Sequence, residues 1–109
     1  MNLMAFPALA GGPVVDGAEA RRSGDTWTIS VTVSHGDTGW DHYADGWRVE
    51  SLDGTELGYR KLLHPHVNEQ PFTRSLGGVM VPDGSKEVVI RAHDSVHGWG
   101  EGVTLTMPE

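Results

Sequence analysis

The sequence contains no cysteine. Disulfides, thiolate metal centres and cysteine nucleophiles are therefore excluded, and a domain built from this chain has to hold together by core packing. Basic residues are scarce: eight Lys and Arg stand against fifteen Asp and Glu, for a formal net charge of −7. The clustered cations that a phosphate backbone needs are missing, which argues against a nucleic-acid partner. No apolar run approaches the roughly 18 residues of a membrane span, so no membrane insertion is expected. No window keeps a 3.6-residue apolar repeat, which leaves little room for helices. What is abundant is turn chemistry, with 15 Gly and 6 Pro in 109 residues, and 109 residues make one domain.

The first ten residues differ from the rest. Leu3 to Ala10 is apolar, with Ala8 and Ala10 in an A-x-A arrangement. That reads as a signal-peptide remnant over 1–10, ahead of a single domain over 11–109, and as a periplasmic or secreted location.

Thr26 to Ser34 is the clearest strand. Trp27, Ile29, Val31 and Val33 alternate with Thr and Ser, so one face is buried and the other is wet. Further strands are expected over Val14 to Arg22, Trp47 to Leu52, Glu56 to Leu63, Phe72 to Val81, Glu87 to His93 and Val103 to Met107. Asp53-Gly54 and Pro82-Asp83-Gly84-Ser85 supply tight turns between them. Leu57 and Tyr59 are expected on one face; Val88, Ile90 and Ala92 point inward, with Val89, Arg91 and His93 outward. Seven short strands in about a hundred residues predict an all-β, seven-stranded immunoglobulin-like antiparallel sandwich.

The stretch Val88-Val89-Ile90-Arg91-Ala92-His93-Asp94-Ser95, with Gly98-Trp99-Gly100-Glu101 and Val103-Thr104-Leu105-Thr106, resembles the last two strands of a fibronectin type III-like domain. The tract from Leu63 to Leu76, containing His64-Pro65-His66, resembles a group of small secreted bacterial proteins of no assigned activity.

Alternating strand direction sends the loops at 35–46, 64–71 and 94–102 to one pole. All six histidines lie in those loops or at the strand end leading into them. Convergent imidazoles suit a divalent transition metal, zinc or copper(II). His64-x-His66 has both rings on one side of an extended backbone, and Pro65 restricts His64 to extended geometry. The fibronectin-like sheet order implies that this pair faces His42, with His93 beyond. His93 and His97 lie four apart across a bend. The expected ligands are therefore His64, His66, His93, His97 and His42, with His35 read as a surface residue at a strand end. Met80 and Met107 point to the other pole, which disfavours a soft copper(I) site. Asp41, Glu69, Asp94 and Glu101 either ligate or orient imidazoles, whereas Asp37 and Asp45 are read as turn builders.

Trp40, Tyr43 and Trp99 occupy the same loops and read as packing over the open end of the core or as a rim for a protein partner. Trp27 and Trp47 read as core. No phosphate loop, EF-hand spacing or Gly-x-Ser-x-Gly elbow occurs, so binding is favoured over catalysis. Two functions stand side by side: a secreted metal-binding protein, and a metal-free protein-interaction module using the same loops.

Overall fold

A computed structural model describes residues 12–108. The expected leader, Leu3 to Ala10, lies outside the described residues. Among these residues the chain is all β, in two antiparallel sheets. One sheet has the order β1-β2-β5, with β1 Val14–Ser23, β2 Thr26–Ser34 and β5 Phe72–Val79. The other has the order β4-β3-β6-β7, with β3 Ala44–Glu50, β4 Glu56–Lys61, β6 Glu87–Asp94 and β7 Gly98–Trp99, and β8 Val103–Thr106 also pairs with β6. No described helix is long and apolar enough to cross a membrane.

The two inner faces meet in one core. β2 contributes Trp27, Ile29, Val31 and Val33; β3 contributes Ala44, Trp47 and Val49; β6 contributes Val88, Ile90 and Ala92; Phe72 and Val79 come from β5. Period-two alternation produces this: the burial of β2 alternates without interruption along its length. Trp27 and Trp47 are both core residues, as expected from the sequence.

Two features depart from the sequence reading. The described residues form eight strands, not seven, because the last strand is split at Gly100-Glu101-Gly102. A Cβ at Gly102 would lie 2.6 Å from Val89 Cγ1, so the backbone there passes too close to β6 for a side chain. The second departure concerns Leu57 and Tyr59, which do not share a face. A register shift between Val49 and Glu50 leaves Leu57 without a partner on β3, a bulge that flips alternation locally. Leu57 packs against the core, whereas Tyr59 is 43% exposed and lies over Gly46, where a Cβ would meet its hydroxyl at 2.6 Å.

Candidate metal centre

The inward alternation of β2 does not stop where the strand does. After Trp27, Ile29, Val31 and Val33, the next positions on that face are His35 and Asp37, and both are buried. On β6 the inward series Val88, Ile90, Ala92 continues to Asp94, which is 0% exposed. β2 and β6 belong to different sheets. The last rungs of the two apolar ladders therefore meet across the sandwich, with His35 Nε2 2.9 Å from Asp94 Oδ2.

Two loops bring further imidazoles to the same oxygen. The β2–β3 loop doubles back in a narrow turn, in which Thr38 N donates to His42 O at 3.0 Å and His42 N donates to Gly39 O at 3.1 Å. Gly39 holds a φ of +145°, which side-chain-bearing residues rarely adopt. The turn directs His42 back toward the core, with Nε2 3.2 Å from Asp94 Oδ2 and its ring edge-on to that of His35 at 4.8 Å. After β6 the chain turns on Asp94 itself. Asp94 Oδ1 accepts hydrogen bonds from the amides of Val96, at 2.9 Å, and His97, an Asx turn. This brings His97 Nδ1 to 3.0 Å from Asp94 Oδ2.

Burial pushes the Asp94 carboxyl up, but the His97 amide, the His97 and His42 rings and the Val96 amide outweigh it and hold the group well below the usual carboxylate range. Asp94 is an ionised, fully enclosed carboxylate. His35, His42 and Asp94 each offer one ligand atom, and these atoms all lie within 4.8 Å of one another. His97 shares the Asp94 oxygen but stands outside that set, and its side chain is 46% exposed.

Asp37 forms a second layer. Its side chain is fully buried, and His35 Nδ1 lies 2.5 Å from its Oδ1. Oδ1 also accepts the Ala44 amide at 3.1 Å, and Oδ2 accepts the His66 amide at 2.7 Å. Asp37 is thus not a simple turn builder. Neither is Asp45, whose Oδ1 lies 2.5 Å from His93 Nδ1.

The five histidines expected as ligands fall into three places. His42 and His97 stand on Asp94. His64 and His66 are neighbours, with ring centroids 4.6 Å apart. The His66 ring stacks on Phe72 at 3.9 Å, and its Nε2 accepts from Arg74 Nη2 at 3.1 Å. Burial, the Arg74 guanidinium and His64 hold the His66 imidazole below the ordinary histidine value. A ring nitrogen engaged by an arginine donor is not facing an ion. His93 lies on the opposite face of β6 from Asp94, edge-on to Trp99 at 4.8 Å and bonded to Asp45. The two faces of one strand cannot serve one ion. Of the aromatic rim, Trp40 is 66% exposed beside Tyr43, at 5.4 Å between centroids. Trp99 is separate, covered by the Arg48 guanidinium at 4.1 Å.

The residues that sequence reasoning underweighted are His35 and Asp37, and the available signal was parity. Positions 27, 29, 31, 33, 35 and 37 share one face, just as 88, 90, 92 and 94 do.

No protein-family profile matches the chain. It is 48% identical over 87 residues, 80% of its length, to a protein of Halomicrobium mukohataei named "Putative lipoprotein", and it spans 42% of that protein's length. Among solved structures, a hypothetical protein of Pyrococcus horikoshii OT3 is similar at a TM-score of 0.56 and 15% identity, over 89% of this chain and 88% of that one. This second likeness is one of fold.

Proposed function

We propose that this chain is an extracytoplasmic β-sandwich module that coordinates one divalent transition ion, zinc(II) or copper(II), through His35 Nε2, His42 Nε2 and Asp94 Oδ2. His97 Nδ1 lies beside this set, 3.0 Å from the same Asp94 oxygen. The observation that carries this reading is the crowding of one oxygen. Asp94 Oδ2 has imidazole nitrogens of His35, His42 and His97 within 3.2 Å, while Oδ1 already accepts two amides. Oδ2 alone faces three ring nitrogens, more than its share of the roughly four lone-pair sites of a carboxylate. A cation among these atoms turns the crowding into coordination. In a tetrahedral site with bonds of 2.0–2.1 Å, neighbouring ligand atoms lie about 3.3 Å apart; the two nitrogen–oxygen pairs here lie at 2.9 and 3.2 Å, and all three atoms lie within 4.8 Å of one another.

The donor set suits the metal class. Two or three imidazoles with one carboxylate favour zinc or copper over magnesium or calcium, which prefer all-oxygen shells. The Asp37–His35 pair has the form of the carboxylate–histidine contacts that orient metal-bound imidazoles. An extracytoplasmic location is supported by the name of the Halomicrobium relative. The sheet orders β1-β2-β5 and β4-β3-β6 support the fibronectin type III-like variety of sandwich, with its last strand divided.

Isothermal titration of chelator-stripped, untagged protein tests the proposal. Zinc(II) binds at one equivalent, and His42→Ala weakens binding by at least about tenfold. Equal affinity in that variant, or no binding by the parent chain, contradicts it.

A second reading draws on the exposure of Trp40 (66%), Leu63 (69%), Val67 (51%) and Val96 (58%), all in the loops of the metal pole. Apolar side chains presented from loops suit a protein partner. In this reading Trp40→Ala leaves metal binding intact and weakens the partner complex.

A further inference from the structure

We infer that Asp37 is the positioning residue of this centre: it selects the nitrogen of His35 that faces the ion and ties the 62–71 loop to the site. The inference rests on the metal reading above.

The argument begins with hydrogen-bond capacity. A neutral imidazole has one donor and one acceptor nitrogen. Both nitrogens of His35 face carboxylates, Nδ1 toward Asp37 at 2.5 Å and Nε2 toward Asp94 at 2.9 Å. An ionised carboxylate only accepts, and the shorter of the two contacts is the one to Asp37; a proton on Nδ1 facing Asp37 turns Nε2 toward Asp94 and the proposed ion. Both side chains are fully buried.

The same carboxylate holds two further segments of backbone. Oδ1 takes the Ala44 amide at the start of β3, and Oδ2 takes the His66 amide from the β4–β5 loop. Gln70 closes the arrangement: its Oε1 accepts the His35 amide at 2.9 Å, and its Nε2 donates to His66 O at 3.0 Å. Asp37, with Gln70 beside it, therefore ties the position of His35 to that of the loop bearing His64 and His66.

Asp37→Asn keeps the volume but replaces one acceptor oxygen with a donor. Either His35 Nδ1–H or the His66 amide then faces an N–H group, and the register of protons around His35 is lost. Zinc(II) affinity, measured by competition with a chromophoric chelator, is expected to fall about 10- to 100-fold. Asp45→Asn, which perturbs the other carboxylate–histidine pair, leaves it unchanged. Nitrogen-15 spectra of the imidazoles give a readout that a merely structural role does not move. In the zinc-loaded parent chain His35 is protonated at Nδ1 and metallated at Nε2, and zinc slows exchange of the His66 amide proton. These parent-chain measurements stand even where the Asn variant does not fold. Zinc bound through Nδ1 of His35, or a folded Asp37→Asn chain with parental affinity, overturns the inference while leaving the metal centre intact. A parent chain that binds no zinc overturns both.

Discussion

His35 Nε2 and Asp94 Oδ2, 2.9 Å apart, join the end of β2 to the end of β6 and so link the two sheets. Immunoglobulin sandwiches commonly carry a disulfide between inner strands of their two sheets. This chain has no cysteine, and the link between its sheets is a buried imidazole and a buried carboxylate. An ion held there adds its binding free energy to folding, because an unfolded chain does not present the assembled site.

Thermal stability is the first consequence. Zinc(II) at one hundred times its Kd is expected to add about 2.7 kcal/mol to the folded state. For a domain of this size that is a rise in Tm of about 10 °C or more. Differential scanning fluorimetry of stripped protein, with zinc and with magnesium, checks this. Magnesium is expected to give no comparable shift.

Ligand and bystander histidines separate by substitution. His42→Ala and Asp94→Asn are expected to lower zinc affinity by at least about tenfold. His64→Ala and His93→Ala are expected to leave it within about twofold, since neither ring reaches Asp94 and distant sites act independently. Titration calorimetry on the four variants gives the pattern.

Acid sensitivity follows from His66. Its folded-state value lies below the ordinary 6.5, through burial first and then Arg74 and His64, with Asp37 and Glu69 opposing. Below pH 6.5 the unfolded chain therefore binds more protons than the folded one. The contribution is complete above that value and is lost as pH falls through it toward the folded-state value. Metal-free protein is expected to show a lower urea midpoint at about pH 5.5 than at about pH 7.5, with a smaller difference in His66→Gln.

The core makes a simpler demand. Ile90 is fully buried on β6, two residues before Ala92 and four before Asp94. Ile90→Ala is expected to cost about 2–5 kcal/mol in denaturant unfolding. Its effect on zinc affinity is expected to be small wherever the variant is folded.

Much of this architecture was legible in the residues. The alternation of Trp27, Ile29, Val31 and Val33 marked β2 with its observed bounds, and the Gly-rich turns separated the remaining strands. The histidine-bearing loops were legible as a group too. Which imidazoles meet was not, because proximity across two sheets depends on register and not on spacing. Sequence made His64-x-His66 look like the natural pair, yet Arg74 and Phe72 engage the His66 ring. His93 looked close to His97, yet strand parity turns it to the outer face beside Asp45 and Trp99. The same parity, carried two residues beyond Val33 and Ala92, leads to His35 and Asp94. The bulge at Leu57 and the split of the last strand at Gly100–Gly102 left no periodic trace in the sequence.

An anomalous-difference map from a zinc-soaked crystal, recorded at the zinc absorption edge, tests the centre most directly. The account predicts one strong peak within about 2.0–2.1 Å of His35 Nε2, His42 Nε2 and Asp94 Oδ2. A map with no peak among those three atoms, or with zinc seated at His64, His66 or His93 instead, contradicts it.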